Sequence, residues 1–184
     1  MGDPAHFPNY SNAMAVTLIQ GGNAMNSTSS PIGRGILAGF AATVALSILM
    51  ALKAAMGLMP AMNAIAMLTR MSHGMLGTPA TPVIGWIIHF VIGAVLWGGL
   101  FAVLYARIPG QGPVARGLVF ATAAWLLMMV LVMPMAGAGL FGLHIGLAAP
   151  IAALVLHWVF GAALGGAYRA LAGHDLPHAR SALE

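Results

Sequence analysis

Four stretches of this chain, at about residues 36–56, 83–105, 114–133 and 150–171, are each apolar over close to the ~20 residues a helix needs to cross a hydrocarbon core. Nothing else constrains the fold as strongly. Strands are a poor alternative, because an open sheet edge in lipid leaves backbone groups unpaired. The predicted fold class is an all-α membrane protein with four transmembrane helices in an up-down bundle. The domain division follows: a disordered tail over 1–31, a transmembrane domain over 32–174 and a polar tail over 175–184. The first tail is rich in Asn, Ser, Gly and Pro, and its short apolar run Ala13–Ile19 has no Lys or Arg before it, so a signal peptide is not expected.

The second and fourth spans repeat one phrase. PVIGWIIHFVIGAVLWG at Pro82–Gly98 returns as PIAALVLHWVFGAALGG at Pro150–Gly166, with Pro82/Pro150, His89/His157, Val91/Val159, Gly93/Gly161, Ala94/Ala162, Leu96/Leu164 and Gly98/Gly166 identical. Apolar segments share letters by chance, but a shared His is not explained that way. Met59-Pro60 and Met133-Pro134 echo each other at the ends of the first and third spans. The bundle is therefore expected to consist of two parallel internal repeats related by a pseudo-two-fold along the membrane normal. His89 and His157 then lie at equal depth, with the second and fourth helices facing each other diagonally.

Composition matters here for what it removes. The chain is 60% hydrophobic and 5% charged, has no Cys, and carries no Asp or Glu between Pro4 and His174. Carboxylate general bases, oxygen cages for hard metals, thiolate nucleophiles and cysteine-ligated metals have no residues to use inside the membrane. Arg34, Arg107, Arg116, Arg169 and Arg180 fall on one side against Lys53 and Arg70 on the other, so both termini are expected in the cytoplasm. The basic balance suits anionic lipid headgroups, and no nucleic-acid partner is expected. Between the first two spans, Pro60–Met75 reads as an interfacial or re-entrant helix, and Lys53 as a snorkelling anchor.

Three sets of residues carry candidate chemistry. His89 and His157, each followed four residues later by Gly93 or Gly161 on the same face, are placed to hold a b-type haem, to line a polar path for a transporter or channel, or to hydrogen-bond at a close helix crossing. Trp86, Phe90, Trp158 and Phe160 would pack such a cofactor. Met59, Met62, Met133 and Met135 with His73 and His144 fall at one end of the bundle, and thioethers with imidazoles suit Cu(I). Their ordinary reading is packing, for which Met is well adapted. His174, Asp175 and His178 form a remote third candidate metal set.

The runs KAAMGLMP (Lys53–Pro60), WIIHFVIGAVLWG (Trp86–Gly98), WLLMMVLVMPMAGAGLFG (Trp125–Gly142) and LHWVFGAALG (Leu156–Gly165) resemble a family of small uncharacterised four-helix bacterial inner-membrane proteins. That resemblance implies a bacterial cytoplasmic membrane and a four-helix fold, and brings no activity. The expected function is binding or assembly without catalysis: an accessory subunit of a larger membrane complex, a homo-oligomer, or a hydrophobic-ligand binder.

Overall fold

The computed structural model describes residues 30–172. The expected tail over 1–31 falls outside them except for its last two residues, and the one over 175–184 falls outside entirely, as do His174, Asp175, His178 and Arg180. Among the described residues are five helices of more than one turn, α1 (Pro31–Ala55), α2 (Ala64–Leu76), α3 (Pro82–Leu104), α4 (Pro113–Met135) and α5 (Ala149–Ala172), with a 3-10 turn at Leu140–Gly142 between the last two. Four of them, all but α2, are long and apolar enough to cross a membrane. Proline opens α1, α3 and α4, where its fixed φ suits the first helical residue and its missing N–H costs no hydrogen bond. The first helix thus starts at Pro31, five residues before the expected span.

The helix between α1 and α3 also starts elsewhere than expected. Pro60 lies in a turn, and α2 begins at Ala64 behind Asn63, whose Oδ1 accepts a hydrogen bond from Ala66 N at 3.0 Å. It ends at Leu76, one residue past the expected Met75, and is capped by Gly77, which takes the left-handed conformation at φ 66°. The side chain of Asn63 is a stronger local start signal than Pro60, because it satisfies an otherwise unpaired N–H.

Two helix pairs cross on glycine. Gly35, Gly39 and Thr43 of α1 press on Gly93 and Gly98 of α3, while Pro113, Gly117 and Ala121 of α4 press on Gly161 and Gly165 of α5. A Cβ on Gly39 would lie 2.7 Å from the Gly93 carbonyl oxygen, and one on Gly161 would lie 2.6 Å from the Ala121 Cβ. Backbones that approach so closely gain dispersion contacts in a setting where lipid supplies no hydrophobic drive between helices. The contacting glycines are five residues apart in α3 and four apart in α5. The difference tracks the ladder: Val91–Gly98 is a π-helical segment of i→i+5 bonds, whereas α5 is α-helical throughout. A second π segment, Met128–Val132, occupies α4 just before Pro134, which cannot donate the next α-helical bond.

The four long helices are not arranged around an even square. α1 packs along α5, and α1/α3 and α4/α5 are the other two close pairs. Ala38 and Ala42 of α1, both fully buried, let α5 approach with Phe160, Leu164 and Tyr168. Between α3 and α4 large rings stand instead: Phe120 meets Trp97 at 5.7 Å and Phe101 at 5.3 Å between centroids. Arg116 closes that end, donating to the Tyr105 and Gly110 carbonyls and lying 4.6 Å over the Tyr105 ring. Toward the α2 end the α3/α4 seam stays open. A strict pseudo-two-fold would make the α1/α5 and α3/α4 seams alike, and they differ because alanine lines one and aromatic side chains prop the other.

Candidate functional site

The open seam leads into a cavity of about 560 Å³ in the α2-end half of the bundle. α2 crosses its mouth. Thr69 and Ile65 seat α2 on Gly85 of α3, a position where any side chain would collide with them. Its opposite stripe, Asn63, Met67 and Arg70 at helical spacing, then faces the cavity. Leu96 of α3 and Leu127 of α4 line the cavity and are yet about half exposed, at 53% and 47%, which marks the seam between them as its side opening.

Both repeated histidines line this cavity, from α3 and from α5. Each has one ring nitrogen committed to protein. His157 Nδ1 donates to the Ala153 carbonyl at 2.8 Å, one turn back on its own helix. Ser47 donates its hydroxyl proton to the Thr43 carbonyl at 2.7 Å, so His89 Nε2, 3.2 Å from Ser47 Oγ, is the donor in that contact. In a neutral imidazole the second nitrogen is then an acceptor. His157 Nε2 and His89 Nδ1 take that role, and neither has a protein partner.

This geometry bears on each candidate set. A haem held by two histidines through Nε2 does not match His89, whose Nε2 is directed at Ser47 on α1. Gly93 and Gly161 serve the crossings of α3 on α1 and α5 on α4, and only Gly93 also lines the cavity. Of the expected packing rings, Phe160 lines the cavity. Trp158 bonds Thr122 at 3.0 Å, while Phe90 stacks on Phe40 at 5.5 Å and near Trp86 at 6.3 Å, all outside it. Met62, Met133 and His144 of the methionine set come to the cavity wall, but Met59, Met135 and His73 do not. Met135 and His73 are exposed, and His73 Nδ1 donates to the Thr78 carbonyl at 2.7 Å. Among the described residues no three of His, Asp and Glu gather as a metal site.

One residue of the site escaped sequence reasoning. Trp97 lines the cavity on the same wall as His89 and Gly93; the i, i+4, i+8 spacing of the three was the available signal. Lys53 does not snorkel. Its ammonium donates to the carbonyls of Leu58, Met59 and Met62 at 3.1, 3.2 and 2.9 Å, folding the linker between α1 and α2 around itself. The linker needs that support, since Met59 takes φ 47°, a region costly for a side-chain-bearing residue.

Comparison with family models adds one finding. The chain belongs to DUF6789, a family of unknown function whose model matches residues 29–178. Membership takes in all five helices. Comparison with curated proteins and with solved structures gave no match.

Proposed function

We propose that this DUF6789 member is a multi-pass protein of a bacterial cytoplasmic membrane, with both termini in the cytoplasm, that binds a hydrophobic ligand between α3 and α4. It has no turnover of its own and works as a carrier or as the ligand-holding subunit of a larger membrane complex. One observation carries this reading: an apolar-walled cavity with a side opening fringed by the half-exposed Leu96 and Leu127. Its size falls in the range of small-molecule pockets. The absence of Asp, Glu and Cys from the spans supports binding over chemistry.

A diazirine-bearing apolar probe, photolysed with the protein in lipid nanodiscs and mapped by mass spectrometry, tests it. Labels on residues 124–133 and 153–160 are expected on the cavity side. Labels confined to lipid-facing positions such as Val83 and Ile151 would overturn the reading.

A second reading has an observation of its own. Met50, Met62, Met67, Met128 and Met133 line the same cavity as His144, a soft donor set suited to Cu(I). Competition with a Cu(I) chelator decides it: unchanged chelator absorbance at equimolar protein removes copper. The haem alternative draws less support from the orientation of His89, and absence of a Soret band after expression with ample haem removes it.

A further inference from the structure

We infer that the cavity selects an apolar molecule bearing a hydroxyl group, whose proton is donated to His157 Nε2 or to its counterpart His89 Nδ1. The inference rests on the binding reading above and narrows it to a class of ligand.

An apolar molecule dissolved in lipid gains little by moving into an apolar cavity, because acyl chains are as apolar as leucine side chains. Selectivity must then come from polar atoms of the wall that protein does not already satisfy; Asn63, Arg70 and His144 line its α2 end, and the membrane-spanning part, where an apolar molecule sits, holds fewer. Thr43 is committed, its hydroxyl donating to the Gly39 carbonyl at 2.7 Å. The two imidazoles have each committed one nitrogen, in both cases as a donor. What remains is two acceptors, His157 Nε2 and His89 Nδ1, and one donor, the Trp97 indole N–H, which has no protein partner.

That inventory is specific about chemistry. A ketone, ester or ether offers oxygen lone pairs alone, and these leave both imidazole acceptors unanswered. A hydroxyl donates one hydrogen bond and accepts others, so it can answer an imidazole acceptor where those groups cannot. An acceptor left unsatisfied in an apolar cavity is penalised more than a satisfied one is rewarded, which turns the inventory into discrimination. The imidazoles are also fixed in place. The Ala153 carbonyl sets the ring of His157, and Ser47, itself bonded to the Thr43 carbonyl, sets that of His89. The methionines around them supply a wall that adapts to different ring or chain shapes.

The test uses the full chain in nanodiscs and a matched pair of competitors, a 4-alkylphenol and its methyl ether, each dosed as mole fraction in the bilayer. Both compete against the diazirine probe for cavity labels. The phenol is expected to compete roughly tenfold better than the ether. His157→Phe, combined with His89→Phe if one acceptor suffices, is expected to bring that ratio near one while the ether competes as before. Equal competition by phenol and ether in the unmodified protein would overturn the hydroxyl inference and leave the cavity reading standing. Probe labels confined to lipid-facing positions, with or without competitor, would overturn the cavity reading itself, and cavity labels that neither competitor displaces would overturn the hydroxyl inference alone. The wild-type ratio needs no variant, so a misfolded His157→Phe protein cannot mask the result.

Discussion

The α1/α5 and α3/α4 seams occupy corresponding places in the bundle, yet one closes on alanine and the other is propped by aromatic rings at its arginine-clamped end. Small side chains account for the first. Ala38 and Ala42 leave the space that Phe160 and Leu164 fill, and all four are buried in one cluster. In the second, Phe120 meets Trp97 and Phe101 edge to face at one level, and beyond that level both helices line the cavity. The comparison teaches that glycine and alanine here build the frame, while the aromatic residues mark where the frame stops.

The sharpest way to break that contrast is to attack the frame. Gly117→Leu forces a side chain into the Gly161 backbone and is expected to destabilise the α4/α5 pair by about 3 kcal/mol or more, read as loss of folded protein in mild detergent. Lys53→Met keeps the length of the side chain and removes three carbonyl contacts. Amide exchange over residues 56–63 is expected to rise about tenfold, with the α4/α5 pair unaffected. At the open seam the effects should be on access rather than stability. Leu127→Trp narrows the opening and is expected to reduce photolabelling inside the cavity while moving stability by no more than about 0.5 kcal/mol. The smallest effect sharpens the frame itself. Gly166→Ala adds a methyl with nothing within 4 Å and is expected to be neutral or stabilising by about 0.5 kcal/mol in a thermal melt. Its neighbour tells the opposite story, since a Cβ on Gly165 would lie 2.8 Å from the Val114 Cα.

Much of the bundle was legible in the residues. Hydropathy placed all four long helices to within a few residues, and the shared His of the two phrases pointed to side chains that do line one cavity. The opening between α3 and α4 was not legible, because a repeated phrase argues for equal seams. The inequality arises from residues outside the match: Trp97 has no match in the copied phrase, and Phe120 belongs to neither phrase. The role of Lys53 was hidden for another reason. Sequence position put it at the end of α1 and near lipid headgroups, but which carbonyls turn toward it depends on the fold of the linker. The methionine set split likewise, since Met133 reaches the cavity wall and Met135, two residues on, points away on the same helix.

The π segment of α3 has a consequence for anyone comparing the two halves by eye. Written in register, Gly98 falls beside Gly166, and the two look like equivalent positions. Judged by the contacts each makes, the counterpart of Gly98 is Gly165, because the wider turn takes up one residue before Gly98 and α5 has no such turn. A gapless alignment is therefore true on one side of that turn and off by one on the other. Identity at its far end is a coincidence of letters, and the residue that does the same job sits one column away.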